Sequence, residues 1–404
     1  MKILMLGWEL PPFNSGGLGV ACLNIAKALT SEGAEIDFVL PYTAKHEGAD
    51  FMNIISATSL NPIHRFGNGA YESKQIEKGF GNNYDSPIYS IRGIQKEYCD
   101  FVREYLKTNR PDVVHAHDWL TFEAAMIAKK EFNLPFIAHM HATEFDRAGM
   151  LDGNPLIHSI ESEGLRMADR IFAVSKNTRN IIHKKYHIPL KRIEVTYNSL
   201  DNSYEKNPYI FNSEPYQYFI DLKNRGYTIV STVGRFTIQK GLQYLMRSAK
   251  KALKKNPKLM FIFVGDGEER DELIKLATKL DISENVIFTG FIRGKKLKDV
   301  YSLSDIFVMS SVSEPFGLTA LEAACQDTAL ILTKQSGVSE VLFSCLKYDY
   351  WDENKLTNEI LAIAGSEALQ KALKKNSKQE YQKIKWQNIA KKCLDTYNEV
   401  EKKD

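Results

Sequence analysis

Short apolar runs alternate along this chain with longer stretches that carry apolar residues at helical spacing. In the first half the runs fall at 2–6, 35–40, 113–117, 136–141, 170–174 and 193–197. Between them, stretches such as 19–31 and 121–132 repeat apolar residues every three or four positions, as a helix with one buried face does. The pattern restarts at 228–234 and continues at 259–265, 286–290, 306–310, 329–333 and 345–348. Apolar strands separated by amphipathic helices predict a parallel sheet covered on both faces. The restart predicts two of them, hence two Rossmann-like doubly wound α/β domains. Residues 198–225 are polar and aromatic, with Pro208 and Pro215 and no sustained period, and read as a linker with a local helix. The expected division is a first domain at 1–200, a linker at 201–225, a second domain at 226–374 and a final segment at 375–404. That last segment reads as one long amphipathic helix, with Tyr381, Ile384, Ile389 and Leu394 among many lysines. Ligands of doubly wound sheets sit beyond the carboxyl ends of the strands, so functional residues are expected in the loops that follow strands.

Composition narrows this picture. At 404 residues the chain exceeds what one hydrophobic core usually supports. A net charge of +3, with 44% hydrophobic and 25% charged residues, is ordinary for a soluble protein and too weak for a nucleic-acid partner. The lysine-rich stretches 247–258 and 371–385 read as solvated helix faces, with peripheral membrane contact left open. The five cysteines, Cys22, Cys99, Cys325, Cys345 and Cys393, form no CxxC pair, and suit a reducing cytoplasm. The start, MKILMLGWELPP, has no small-residue cleavage site and reads as a buried strand. No apolar stretch approaches the roughly 20 residues needed to span a bilayer. Cytoplasmic localisation is therefore expected.

Three loops carry candidate chemistry. The first strand runs into Asn14, Ser15, Gly16, Gly17, Leu18 and Gly19 ahead of a helix. Glycines there permit close backbone approach, and unpaired N–H groups at a helix start favour an anion. A tight turn needing glycine for geometry alone is the simpler alternative. The strand 228–234 delivers Gly234 and Arg235, with Lys240 just before the next helix; two cations beside free N–H groups can neutralise a diphosphate. The third loop, EPFGLTALEA at 314–323, places Glu314 after a strand and Glu322 about two turns into an otherwise small and apolar helix. A carboxylate on such a face is costly unless it has a partner. Two acceptors so spaced could grip separate hydroxyls of one extended ligand, such as a sugar and a ribose. Two histidine pairs, His115 with His117 and His139 with His141, each face one side of a strand. No carboxylate–histidine or cysteine spacing completes a metal site around them, so no metal is expected.

Taken in order, the glycine-rich first loop, VVHAHDW (113–119), HATEFDR (141–147), YNSLD (197–201), GRFTIQKG (234–241), EPFGLTALEA and SGVSEVL (336–342) resemble the retaining GT-B glycosyltransferases of family 4. The resemblance extends to the group similar to glycogen and starch synthases, and covers nearly the whole chain. It implies two Rossmann-like domains facing a cleft, with a C-terminal helix crossing back to the N-terminal domain and Trp386 packed there. It implies that Gly16 and Gly17 lie near donor phosphates and acceptor, and that Arg235 and Lys240 bind the diphosphate. Glu314 would contact hydroxyls of the transferred sugar, Glu322 the ribose, and His141 would sit beside that sugar. Phe316, Gly317, Leu318 and Thr319 fall in the same donor-binding loop, and residues 337–339 match a backbone contact near sugar or phosphate. The implied reaction moves a hexose, glucose as expected, from a nucleoside diphosphate sugar to a glycan or lipid-linked hydroxyl. It needs neither cofactor nor metal.

Departures from the family pattern count against a specifically glycogen-synthase reading. Ser15 stands where bacterial glycogen synthases carry lysine, Asn198–Ser199 replaces the common Asn-Gly, and Cys325, Gln326 and Asp327 replace a glycine-containing turn. α-Glucan elongation, a nucleotide-sugar epimerase, a sugar-polymer phosphorylase and a non-catalytic nucleotide-sugar sensor are the alternatives. The phosphorylase would require a pyridoxal phosphate lysine that no motif supplies.

Overall fold

A computed structural model describes residues 1–13, 16–60, 91–201, 204 and 214–401. Asn14, Ser15, residues 61–90, linker residues 202–203 and 205–213, and residues 402–404 lie outside the described residues. The described strands form two parallel sheets in two units. The first unit comprises 1–147, 151–198 and 385–404; the second comprises 148–150 and 199–384.

The first sheet contains β1 (Lys2–Leu6), β2 (Glu35–Leu40), β3 (Asn53–Ser56), β4 (Val113–His117), β5 (Phe136–Met140), β6 (Arg170–Ala173) and β7 (Ile193–Val195), in spatial order β3-β2-β1-β4-β5-β6-β7. The second contains β8 (Thr228–Val233), β9 (Leu259–Val264), β10 (Val286–Gly290), β11 (Ile306–Met309), β12 (Ala329–Thr333) and β13 (Leu346–Tyr348), in order β10-β9-β8-β11-β12-β13. Strands β4, β5, β9, β11 and β12 are buried at every position, as LMFIFV in β9 is, because helices cover both faces. In each sheet the order turns back once, between β1 and β4 and between β8 and β11. Loops leaving those strands diverge and open a crevice beyond their carboxyl ends.

Every apolar run of the sequence is a strand to within a residue or two. β3 was not anticipated. It is a four-residue edge strand paired with β2 alone and only half-buried, so it carries no run of buried apolar side chains. The local helix of the linker forms at Glu214–Asn224 and is fixed to the second unit: Lys223 Nζ donates to Asp305 Oδ1 at 2.9 Å, and Leu222 is buried.

The expected single helix from about Lys375 is instead two, Glu367–Tyr381 and Trp386–Glu401. The apolar stripe serves a different core on each side of the break. Leu373 joins the core of the second sheet, whereas Trp386, Ile389 and Ala390 join that of the first. At the break the Ile384 carbonyl accepts from the Ser199 hydroxyl at 2.6 Å. Trp386–Glu401 buries Cys393, Tyr397 and Val400 against Ala21, Cys22 and Ile25 of the helix Gly17–Ser31. That interface is lined by small residues on one side, which lets the two helices approach closely.

Tyr397 carries the C-terminal helix to a buried histidine cluster. Its hydroxyl bonds His115 Nδ1 at 2.8 Å; His115 Nε2 meets His139 Nδ1 at 3.1 Å, and His139 Nε2 meets Thr196 Oγ1 at 3.3 Å. A neutral imidazole has one donor and one acceptor nitrogen, so this chain is satisfied when every proton points the same way. Beside it, His117 Nδ1 meets His141 Nε2 at 2.9 Å. Burial holds the pKa of His115 and of His141 down at about 3, and those of His117 and His139 well below the usual value.

Two expectations follow. Tyr397→Phe keeps the ring but strands His115 Nδ1, and should cost the first unit about 1–3 kcal/mol in denaturant unfolding; a loss below about 0.3 kcal/mol would show that the bond does not matter. Because the folded-state pKa values are depressed, the four histidines contribute stability that is present above about pH 6.5 and is lost as pH falls toward the folded values. Their ring C–H resonances should therefore stay constant between pH 8 and 5, and a midpoint near 6.5 for any of the four would contradict the burial.

Candidate functional site

At the crevice of the second sheet, β8 hands the chain to Gly234, Arg235 and Phe236. Phe236 is fully buried and anchors the loop, its N–H donating to the Asp266 carbonyl at 2.9 Å and its carbonyl accepting from Glu269 N at 2.9 Å. Arg235, half-buried, is held between that anchor and the strand end. The short turn Ile238–Lys240 then leads to Gly241, whose φ is +57°. A Cβ there would lie 2.4 Å from the Ser310 carbonyl oxygen, so only glycine lets this loop lie against the end of β11. Ser310 Oγ fixes the contact by donating to the Lys240 carbonyl at 2.9 Å.

β11 supplies the opposing carboxylate. Glu314 Oε2 accepts from Lys240 Nζ at 2.6 Å and from Ser311 Oγ at 2.9 Å. The Glu314 backbone is clamped by the segment after β12: its N–H donates to the Gln335 carbonyl at 3.0 Å and its carbonyl accepts from Gly337 N at 2.9 Å. Phe316 is buried, and its carbonyl accepts from Val338 N at 2.7 Å. Gly317, with φ +111°, starts the helix Leu318–Cys325; a Cβ there would lie 2.8 Å from Met309 Cε. Leu318 and Thr319 form the first turn, where N–H groups have no intrahelical acceptor. Thr319 lines one recess with Gly234, Lys240, Ser311 and Glu314. The structure thus brings together a cation, a carboxylate and a helix start.

Glu322 does not line that recess. It lies one turn further along the helix, where its Oε2 accepts from the Tyr301 hydroxyl at 2.8 Å. Tyr301, on the helix Gly294–Leu303, is the partner that a carboxylate among apolar neighbours requires, and nothing in its local sequence pattern sets it apart from a core tyrosine. Burial raises the Glu322 pKa to about 7, against the lowering effects of Tyr301 and Lys298.

Gly16, Gly17 and His141 belong to the first unit. Gly16 is the extended N-cap of the helix Gly17–Ser31, and Gly17 is its exposed first residue. The buried Glu9 reaches this helix start, its Oε1 accepting from Gly19 N at 3.2 Å. One of the N–H groups expected to meet an anion is therefore already bonded to a carboxylate from the preceding strand exit.

His141 follows β5 and is 7% exposed. Its N–H donates to Asp118 Oδ1 at 2.6 Å, and its Nδ1 is buried with no hydrogen-bond partner. Asp118 escaped the sequence reading, although it sits inside VVHAHDW. It leaves β4 with φ +60°, a costly conformation for a residue other than glycine, and burial raises its pKa to about 7. The loop after His141 is pinned by Arg147, which donates to Glu144 Oε2 at 2.9 Å and to the Ala142 carbonyl at 2.7 Å, and also pairs with Glu161. The fold also brings Cys22, His117 and His141 close enough for one ligand atom from each to lie within 4.8 Å of the others, and likewise His115, His117 and His139. His117 bonds His141 in the first group, and His115 bonds His139 in the second.

Comparison with known proteins agrees with this geometry. The model of "Glycosyltransferase Family 4" matches residues 15–204, and that of "Glycosyl transferases group 1" matches residues 217–380. An uncharacterized glycosyltransferase of Methanocaldococcus jannaschii is 28% identical, over 98% of this chain and 98% of its own length. A glycogen synthase of Mycobacterium tuberculosis is 26% identical over 85% of this chain and 80% of its own. Among solved structures, sucrose-phosphate synthase from Thermosynechococcus elongatus superposes with a TM-score of 0.79 at 18% identity, covering 99% and 98% of the two chains. Anabaena HepE, solved in complex with UDP and glucose, superposes with a TM-score of 0.72 at 17% identity, covering 99% and 100%. With two family models that together span nearly the whole sequence and two doubly wound units, the chain is a GT-B glycosyltransferase of the family 4, glycogen synthase-like group.

Proposed function

We propose that this glycosyltransferase moves glucose from a nucleoside diphosphate glucose to an acceptor hydroxyl with retention of configuration, using neither metal nor cofactor. The observation that carries the reading is the Lys240–Glu314 contact of 2.6 Å beside a helix start at the β8–β11 crevice. That arrangement suits a ligand with a diphosphate at one end and a hydroxylated ring at the other. The solved complex of HepE with UDP and glucose supports the same choice of donor.

In this reading Arg235 and Lys240 take the diphosphate, and the N–H groups of Leu318 and Thr319 face negative charge as it develops on the leaving group. Glu314 accepts from hydroxyls of the transferred sugar, in the loop formed by Phe316 and Gly317. Glu322 accepts from the ribose. Gly16, Gly17 and His141 are the first unit's candidates for the phosphates, the acceptor and the sugar; His141 is neutral because it is buried, and its Nδ1 has no hydrogen-bond partner. The bond from the anomeric carbon to the diphosphate oxygen breaks while the acceptor oxygen approaches the same face, and the departing phosphate oxygen takes the acceptor proton. Exclusion of water during this step limits hydrolysis of the donor. The chain acts in the cytoplasm, where nucleotide sugars are at hand.

Lys240→Ala and Glu314→Ala should each lower kcat by about a hundredfold or more with the melting profile largely kept. Nucleoside diphosphate release measured in excess EDTA checks both parts: wild-type turnover should persist, and either variant within twofold of wild type would remove the residue from the site. A second expectation concerns pH. Ribose hydroxyls that donate to Glu322 favour its charged form, so binding should release a proton from a carboxyl that begins near pKa 7. Affinity for UDP-glucose should therefore rise from pH 6 to pH 8. Calorimetry in buffers of differing ionisation enthalpy reads the proton directly, and Glu322→Gln should abolish its release; an unchanged release would place the proton elsewhere.

A further inference from the structure

Beyond Gly241 the helix Leu242–Leu253 presents Tyr244 in its first turn, and Tyr244 begins a row of aromatic rings. Its ring meets that of Tyr350 at 5.3 Å and 70°, and Tyr350 meets Trp351 at 4.8 Å and 86°. The Trp351 indole is 58% exposed, whereas Trp8, Trp119 and Trp386 are 3%, 1% and 5% exposed. An exposed indole leaves a large apolar surface in water, and Tyr350 packs nearly perpendicular to it rather than stacking flat upon it.

The row is held in place. Asp349 accepts from Lys334 Nζ at 2.7 Å and from Gln335 Nε2 at 3.0 Å, and Asp352 caps the helix Glu353–Ala364 by accepting from Lys355 N at 2.9 Å. Arg247 stacks over Tyr244 at 4.9 Å and donates to Glu353 Oε1 at 2.5 Å. Gln335 also joins the row to the reaction centre. Its side-chain Oε1 accepts from Tyr350 N at 3.4 Å, and its carbonyl accepts from Glu314 N at 3.0 Å. Tyr244 follows β8 and the Tyr350–Trp351 pair follows β13, so the platform occupies the same end of the sheet as Lys240 and Glu314.

We propose that Tyr244, Tyr350 and Trp351 form a docking platform for an oligosaccharide acceptor, with one pyranose ring stacked on the Trp351 indole. This rests on the reading that the protein transfers a sugar to a hydroxyl acceptor, and it commits that acceptor to a glycan. A pyranose presents C–H bonds on its faces and hydroxyls around its edge. The C–H face meets the electron-rich face of an indole, and the edge meets polar groups around the ring. Asp349, Asp352, Gln335 and Lys334 supply that rim. An anionic lipid surface fits less well, because cations beside the row are already paired, Lys334 with Asp349 and both Arg247 and Lys251 with Glu353. A fixed platform also lowers the ordering cost of binding a flexible chain.

Because the other tryptophans are buried, acrylamide quenching of fluorescence reports mainly on Trp351. Maltoheptaose should protect this fluorescence in the full-length protein, and Trp351→Phe should remove the protection. Trp351→Ala should weaken maltoheptaose as acceptor about three- to tenfold in KM, leaving kcat and UDP-glucose affinity unchanged. Absence of protection by maltoheptaose and longer glucans in a preparation that turns over UDP-glucose overturns the platform and leaves the transferase reading intact. Protection by phosphatidylglycerol vesicles in place of glucan overturns it also, and assigns the row to a membrane. Glucan protection in a preparation that transfers from no donor supports the platform while refuting the proposed reaction, so the two failures are distinguishable.

Discussion

The contact between Lys240 and Glu314 depends on the pairing of β8 with β11. The two residues are 74 positions apart, and they meet because those strands are neighbours at the point where the sheet order turns back. Gly241 permits the approach, and the clamp from Gln335 and Gly337 fixes the carboxylate. With the two side chains only 23% and 12% exposed, the cost of desolvating both charges offsets much of their attraction, and the pair's worth for stability is small. Its importance is positional. Each charge neutralises the other, so an anion arriving at Lys240 must displace Glu314 unless the same ligand offers hydrogen-bond donors to the carboxylate. A phosphate alone pays the penalty of separating the pair, whereas a phosphate joined to a hydroxylated ring compensates both partners.

The first unit solves a different problem, the burial of many polar groups. Four imidazoles stay neutral there because burial disfavours their charged forms, and four bonds, from Tyr397, Thr196 and the imidazoles themselves, hold them. Tyr397 lies 282 positions from His115, on the last helix, so completing this cluster requires the end of the chain. Asp118 adds a constraint from below, accepting the His141 N–H from a left-handed backbone position. The orientation of His141 is thus set by residues that need never touch a ligand.

Features carried by local pattern could be read from the sequence, and features that arise when distant segments meet could not. Central strands such as β9 are apolar throughout because both faces are covered, and that pattern survives in a one-dimensional reading. The glycines of GRFTIQKG and EPFGLTALEA stood out for the same reason: backbone geometry leaves a mark on residue type. β3 left none, since an edge strand with half-buried side chains needs no apolar run. The break between Tyr381 and Trp386 was invisible because both helices share a period and only their partners differ. Tyr301 and Asp118 were missed as well. A core tyrosine and an aspartate at a strand exit look the same whether or not they hold another residue, and their roles exist only in the folded contacts.

Glu314 and Glu322 show how far environment can separate two identical side chains eight positions apart on one motif. Glu314 lies at a strand end and accepts from the Lys240 ammonium and the Ser311 hydroxyl. Glu322 lies on a helix whose neighbours are alanine, leucine and cysteine, with one phenol as its partner. Burial penalises the charged form of Glu322, so near neutral pH it stands close to its midpoint and is sensitive to any added donor. Glu314 is therefore held in one position by its two partners, and Glu322 is left to respond to the ligand that reaches it. The spacing of the motif sets how far apart the two carboxylates stand along the helix, but what each can bind is decided by Lys240, Ser311 and Tyr301, none of which belongs to the motif.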